Sequence, residues 1–289
     1  MPDSANPSAD SIQNLLAQAG QALSAVSETA LLDAEVLLCH CLQKTRTFLR
    51  TWPQHCPSPA QIAQFQALIA QRRHGTPVAY LTGQREFWSR TFKVCPDVLI
   101  PRPDTELLIE LSLDLLPAQQ ASKIIDLGTG SGILAITLAA ERPLASVIAT
   151  DISPAALQVA QENAEQLKTG NVHLLRSHWF DNVSDRDFDL VISNPPYIDD
   201  SDPHLKQGDV RFEPQSALVS PENGLHDIRL IAEQARQHLK NGGHLLIEHG
   251  YNQQNPVQAI FTALNYRQVK THSDLGGNPR VTSGLWKPT

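Results

Sequence analysis

Residues 189–200, DLVISNPPYIDD, join an apolar run to an asparagine, two prolines and a tyrosine. An apolar run of this length suits a strand of a parallel sheet, and open sheets of that kind carry ligand sites at the carboxyl ends of their strands. Each proline fixes its own φ, lacks an N–H and pushes the preceding residue into extended backbone, so Asn194 and Pro195 are both held extended. The corner Asn194, Pro195, Pro196, Tyr197 is thus expected to present carbonyl oxygens with few donors nearby, and the Asn194 side chain adds another acceptor. A wall of acceptors suits a group with two hydrogens on one nitrogen, such as a carboxamide or the exocyclic amine of a base. Tyr197 would lay a flat face beside it. The plainer reading of the tetrapeptide alone is a strand end followed by a turn.

What precedes the corner bears on that choice. In DLGTGSGILAITLA, starting at Asp126, the glycines at 128, 130 and 132 turn the chain sharply and let backbone N–H groups approach a ligand before a helix from about Ile133. With Thr129 and Ser131 they make a candidate cofactor loop. Its spacing is Gly-x-Gly-x-Gly, whereas a dinucleotide fingerprint is Gly-x-Gly-x-x-Gly. Asp151 ends the next strand 19 residues after Gly132, where a carboxylate can accept both hydrogens of a ribose diol. Ser153-Pro154 opens the following helix, so Asp151 is not needed as its cap.

The elements that position these residues follow from periodicity. Between 12 and 75, the stretches 11–23, 29–49 and 58–75 repeat apolar residues at three- and four-residue spacing, which predicts a bundle of three or four helices as an N-terminal domain, 1–75. Ser58, Pro59 and Gln61 predict a capping box, and Gly75 the end of that helix. Residues 76–106 read as a linker with a short hairpin around Phe87 to Val94. From 107 to 289, apolar runs alternate with helical segments, which means an α/β domain with a parallel sheet covered on both faces. Its last two strands have no helix between them, so one is expected to run antiparallel at the edge.

Composition narrows the partners. Lys plus Arg is 23 against 30 for Asp plus Glu, a formal charge of −7, and there is no basic run. Binding a long nucleic-acid backbone is therefore disfavoured, and no direct nucleic-acid partner is expected. The polar start MPDSANPSAD and the lack of any run of eighteen apolar residues predict a cytoplasmic protein with no membrane partner. Cys39, Cys41, Cys56 and Cys95 lack zinc-type spacing and read as reduced core thiols, with no metal expected.

Glycine loop, acidic strand end and Asn-Pro-Pro-Tyr corner, in that order, resemble the S-adenosylmethionine-dependent methyltransferases of the Rossmann-like type. The resemblance implies S-adenosylmethionine as cofactor, with Gly128, Thr129, Gly130, Ser131, Gly132, Asp151 and Asn194 around it. It also implies that Trp179, in the HWF that follows the third strand, contacts adenine; many relatives carry an acidic residue where His178 stands here. The segments AYLTGQREFW, VLIPRPDTELLIE, SNPPYIDDSD and GDVRFEP further resemble the release-factor glutamine methyltransferases, the PrmC/HemK family. That likeness spans nearly the whole chain. It implies peptide-chain release factors as protein substrates and methyl transfer to the glutamine of their Gly-Gly-Gln motif, with Asn194, Pro195 and Tyr197 catalytic and Pro196 beside them. The competing readings are a ribosomal-protein glutamine methyltransferase, a DNA adenine amino-methyltransferase, a nicotinamide oxidoreductase and a helical adaptor on a degenerate fold.

Overall fold

The computed structural model describes residues 9–288; the polar segment 1–8 and Thr289, and the expectations that fall on them, lie outside the described residues. Backbone contacts divide the chain into two units, Met1–Gly83 with Gln207–Phe212, and Gln84–Lys206 with Glu213–Thr289.

The first unit is helical: α1 (Ile12–Leu23), α2 (Ala30–Leu42), α3 (Arg46–Thr51), α4 (Pro59–Arg73) and α5 (Val78–Thr82). The capping box of Ser58 and Gln61 opens α4. The stretch 29–49 is two helices rather than one, because Gln43 takes left-handed backbone at φ 51° and the Thr45 hydroxyl caps α3 by accepting the Phe48 N–H. The unit runs past residue 75 because Val78 and Leu81 of α5 pack on the core of Ile12, Leu37, Leu38 and Phe65. Arg72 is buried here; it donates to Asp33 and Asp209, each at 2.8 Å, and to the carbonyls of Gly75 and Thr76.

In the second unit a hairpin, β1 (Gln84–Phe87) and β2 (Arg90–Lys93), turns through Trp88 and Ser89. Both turn residues have positive φ, 50° and 55°, as a two-residue turn matched to strand twist requires. There follow α6 (Glu106–Leu115), β3 (Lys123–Leu127), α7 (Ile133–Glu141), β4 (Ser146–Asp151), α8 (Pro154–Leu167), β5 (Val172–Arg176) and β6 (Phe188–Ser193). The remainder is a single turn, α9 (Pro221–Gly224), then α10 (His226–Ala235), β7 (Leu239–Glu248), α11 (Gln254–Ala263), β8 (Arg267–Ser273) and β9 (Pro279–Leu285).

Strands β3 to β9 form one sheet in the order β5-β4-β3-β6-β7-β9-β8. Alternate residues serve opposite faces: Ile124, Leu190, Ile192 and Leu246 pack with α6 and α7, and Ile125, Val191, Leu245 and Ile247 with α10 and α11. Strand β9 is antiparallel to both neighbours, yet it lies one place in from the edge, which β8 occupies. Burial explains the exchange: β9 buries Val281, Thr282 and Leu285, while β8 buries none of its residues. The more polar strand takes the exposed edge.

Strand order reverses between β3 and β6, which lie side by side in parallel. A crevice opens beyond their carboxyl ends at such a switch point. The cofactor loop leaves β3 and the Asn194 corner leaves β6, so both reach that crevice. Among the described residues no helix is long and apolar enough to cross a membrane, and no group of side chains is arranged to hold a metal ion. Cys41 is buried and half-buried Cys39 packs on the helical core, whereas Cys56 is exposed and Cys95 half-buried, so the expectation of core cysteines fails for Cys56 and Cys95.

Candidate active site

A cavity of 390 Å3 lies over the switch point, within the usual range of about 300–1,000 Å3 for small-molecule sites. Gly128, Thr129, Gly130 and Ser131 form its floor, Asp151 and Trp179 one side, and Asn194 and Pro196 another. Thr105, Arg102, Pro214 and Asp227 complete the wall.

The glycine loop is bonded largely to its own protein. The N–H groups of Gly128 and Thr129 donate to the Thr150 carbonyl at 2.9 and 2.8 Å, and that of Gly132 to the Thr129 carbonyl at 2.8 Å. The Gly130 N–H donates to Asp151 Oδ2 at 2.9 Å. Four of the five N–H groups of residues 128–132 are therefore engaged within the protein, which limits the expected approach of loop N–H groups to a ligand. A pyrophosphate needs such donors, and a phosphate-free ligand does not. Gly128 has φ +73°, and a Cβ there would stand 3.2 Å from the Trp179 ring; Gly132, at φ +85°, has Ile136 and Ala160 where its Cβ would go. Gly132 does not line the cavity, so its place in the motif serves packing against α7 and α8.

Asp151 accepts from the Ser153 N–H through Oδ1 and from Gly130 through Oδ2, both at 2.9 Å. The Ser153 hydroxyl caps α8 by accepting the Ala156 N–H, so the carboxylate is not consumed as a cap. Burial raises the Asp151 carboxyl above the ordinary range, and the backbone donors of Ser153, Gly130 and Ile152 oppose that rise. Each oxygen keeps a lone-pair direction for a further donor.

Asp126, inside β3, was missed by sequence reasoning. It is fully buried; Oδ2 accepts the Thr129 hydroxyl at 2.6 Å and the Ala135 N–H at 3.2 Å. Burial pushes its carboxyl up to about 7, the two donors pull the other way, and Asp151 adds to the rise. A charge inside the apolar run KIIDL was the available signal. Buried Asn163 of α8 pins the loop from behind, donating to the Ser131 carbonyl at 2.8 Å.

Trp179 is buried, with positive φ of 47°, and its indole N–H meets no partner among the described residues. His178 stands on the rim, exposed, with Nδ1 3.4 Å from Asp181.

At the corner, the Asn194 Nδ2 donates to the Thr105 hydroxyl at 3.2 Å, which turns the amide oxygen away from Thr105. The Ser193 hydroxyl donates to the Leu127 carbonyl at 2.7 Å and clamps the ends of β6 and β3 together. Among the described residues no backbone donor meets the Pro195 carbonyl. The Tyr197 carbonyl is occupied, by the Gln253 side chain at 2.9 Å. Neither Pro195 nor Tyr197 lines the cavity. The Tyr197 ring packs into the sheet core and its hydroxyl points to buried Glu248, 3.3 Å away. The flat face expected of Tyr197 is thus not on the cavity wall. Arg102 pairs with Glu213, which also accepts the Ile100 N–H at 3.2 Å, and so joins two segments of that wall.

Two family models match the chain: "PrmC N-terminal domain" over residues 14–83 and "Methyltransferase small domain" over residues 104–210. A release factor glutamine methyltransferase of Shewanella oneidensis is 48% identical over 264 residues, 91% of this chain and 92% of its own length. One from Escherichia coli is 48% identical over 90% of this chain and 94% of its own. A crystal structure of a methyltransferase from Pyrococcus furiosus, 18% identical, covers 77% of this chain and 98% of its own with a TM-score of 0.54, which shows the shared fold.

Proposed function

The chain belongs to the release factor glutamine methyltransferases, and from that premise we propose that it transfers a methyl group from S-adenosylmethionine to a glutamine side chain of peptide-chain release factors, at the Asn194 corner. The glutamine is that of the Gly-Gly-Gln motif, and the work is done in the cytoplasm. The observation that carries the assignment of the corner is the Asn194 amide: with its nitrogen tied to Thr105, its oxygen is left for a substrate hydrogen on the wall shared with Asp151 and the glycine loop.

The residues suit a phosphate-free nucleoside cofactor. Asp151 has acceptor capacity for two ribose hydroxyls, Gly128 lets the chain lie close against Trp179, and the N–H groups of Gly128, Thr129, Gly130 and Gly132 are already engaged within the protein. S-adenosylmethionine, when bound, supplies an electrophilic methyl on a sulfonium. Trp179 offers its ring face and edge to the base, and Asp151 fixes the sugar.

Glutamine is a poor nucleophile because its nitrogen lone pair is delocalised into the carbonyl, and it is too weak an acid for a side-chain base to deprotonate at neutral pH. The corner therefore works by orientation. Asn194 Oδ1 and the Pro195 carbonyl accept the two amide hydrogens, raise electron density on nitrogen and point its lone pair toward the methyl. The oxygens are held before substrate arrives, by prolines and by Thr105, so little reorganisation is needed. Once the nitrogen carries the methyl it is acidic and loses its proton to solvent.

The test is peptide mass spectrometry after incubation with S-adenosylmethionine and release factor, beside the release factor's Gln→Ala variant and a ribosomal protein. One methyl on the Gly-Gly-Gln glutamine alone is expected. Asn194→Ala should slow single-turnover transfer by roughly 10²- to 10³-fold, as loss of one oriented polar group does. Transfer near the wild-type rate would refute the corner's role.

A further inference from the structure

We propose that Asn163 is a positioning residue for the cofactor: from behind the cavity it ties the glycine loop to the segment after β2 that forms a wall, and so sets the gap in which S-adenosylmethionine binds. The proposal rests on the reading of the cavity as the cofactor site.

The floor and this wall come from different parts of the chain. Thr129, Gly130 and Ser131 follow β3, whereas Pro96 to Leu99, Pro101 and Arg102 follow β2. Strand β2 pairs with β1 in a separate two-stranded sheet, so the ladder of the main sheet does not hold the wall in place. A side chain of α8 does. Asn163 is fully buried; its Oδ1 accepts the Lys93 N–H at 2.7 Å, and its Nδ2 donates to the Lys93 carbonyl at 3.0 Å and to the Ser131 carbonyl at 2.8 Å. It engages Lys93 through both N–H and C=O, as a neighbouring strand would, and spends its other N–H on the cofactor loop.

The chemistry of the link admits few substitutes. An aspartate of the same shape would set oxygen against two carbonyls, and a leucine would leave one donor and two acceptors buried without partners, which is costly. Its place matters as much as its chemistry. Lys93 is the last residue of β2, the point where the chain leaves the hairpin for the cavity wall. Farther along, the wall is held by Glu213, which accepts the Ile100 N–H at 3.2 Å, and by Thr105, which accepts from Asn194 at 3.2 Å. Neither Asn163 nor Lys93 lines the cavity, so any effect on the cofactor passes through Ser131 and the wall. A ligand that enters a gap already fixed on both sides orders less of the protein as it binds.

The experiment measures S-adenosylhomocysteine affinity by calorimetry, melting temperature, and single-turnover transfer against S-adenosylmethionine concentration for Asn163→Ala, Gln166→Ala and Asp151→Ala. Gln166 is the control on the same helix: exposed, it donates to the Thr91 carbonyl at 3.2 Å and so ties α8 to the hairpin without touching the glycine loop. We expect Asn163→Ala to weaken binding about tenfold, the scale of one more side chain ordered on binding, and Gln166→Ala to leave it unchanged. Transfer lost by Asn163→Ala at low S-adenosylmethionine should return at saturation. The melting temperature falls whether Asn163 positions the site or only fills the core; the affinity separates the two. Amide hydrogen exchange of the wild-type protein covers the case in which Asn163→Ala does not fold: S-adenosylhomocysteine should slow exchange of the Lys93 N–H, which lies off the cavity. Unchanged affinity in Asn163→Ala, an equal loss in Gln166→Ala, or Lys93 exchange indifferent to ligand would each overturn the proposal. If Asp151→Ala also binds as wild type does, the reading of the cavity falls with it; if Asp151→Ala alone is weakened, that reading stands without the Asn163 link.

Discussion

Replacing Asp151 with alanine separates cofactor binding from folding. The carboxylate sits at the end of β4, where Oδ1 accepts the Ser153 N–H and Oδ2 the Gly130 N–H. Two ribose hydroxyls would take the remaining acceptor positions. Hydrogen bonds to a charged group contribute about 1.5–3 kcal/mol each, and a half-buried carboxylate that gives up water belongs at the low end, so the pair is worth about 3 kcal/mol. At 1.4 kcal/mol per decade, Asp151→Ala should raise the dissociation constant for S-adenosylmethionine roughly 100-fold.

Folding should respond much less. The substitution strands two N–H groups at the rim of a cavity that water reaches, and it also removes a carboxylate whose burial is unfavourable. These effects oppose each other, so the cofactor-free melting temperature should move by no more than about 4 °C, the size of a 1 kcal/mol change in a domain of this class. Calorimetric titration and thermal unfolding of the same preparation are the assay. An unchanged dissociation constant would refute ribose binding. A large loss of melting temperature with affinity preserved would make Asp151 a loop anchor instead.

Further outcomes follow from the same geometry. Gly130→Ala meets nothing within 4 Å, so it costs only the left-handed backbone penalty, about 1–2 kcal/mol, while projecting a methyl into the cofactor cavity; Gly132→Ala adds a clash of 2.6 Å with Ile136 and should cost about 3 kcal/mol or more. Denaturant unfolding and cofactor titration should rank the two variants oppositely. Arg72→Ala leaves Asp33 buried with only the Ser27 and Thr29 hydroxyls, and should destabilise the helical unit by about 3 kcal/mol in equilibrium unfolding. Glu248 is raised to about 7, so its contribution to stability is fully present below its unfolded value and is lost as pH rises through neutrality. The melting temperature of Glu248→Gln, relative to wild type, should therefore climb between acid and alkaline pH; a constant offset would refute the shift.

The strands of the main sheet were legible because each is an apolar run between turn formers, and the glycine loop and Asn194 corner were legible because chain order places them at neighbouring strand ends. Sequence could not decide which of the last two strands lies inside, although β8, RQVKTHS, is visibly more polar than β9, PRVTSGL. Gln43 was read through as helix because one left-handed residue leaves apolar spacing nearly intact on both sides. At the site, position was easier to read than bonding. The Gly-x-Gly-x-Gly pattern announced N–H groups able to approach a ligand, yet Thr150, Asp151 and Thr129 take up four of the five. Tyr197 looked like a substrate face until Glu248, 51 residues away, was seen to receive its hydroxyl. Glu248 and Asp126 each left a trace: a single carboxylate within an apolar strand, which folding leaves buried only if something else there requires it.

Taken together, the two strand ends are built on opposite plans, and the chemistry explains why. Beyond β3 and β4 most of the loop's N–H groups are engaged internally, so that a ligand without phosphate suits a surface whose carboxylate, Asp151, is already half-engaged and fixed in direction. Beyond β6 the prolines withhold N–H donors, so that among the described residues no backbone donor claims the Pro195 carbonyl, while Thr105 accepts from the nitrogen of Asn194. A carboxamide brings two hydrogens and a nitrogen that reacts only when its lone pair is aimed. The site that serves it needs acceptors that stay uncommitted until substrate arrives, and it needs them stiff; two consecutive prolines meet both conditions.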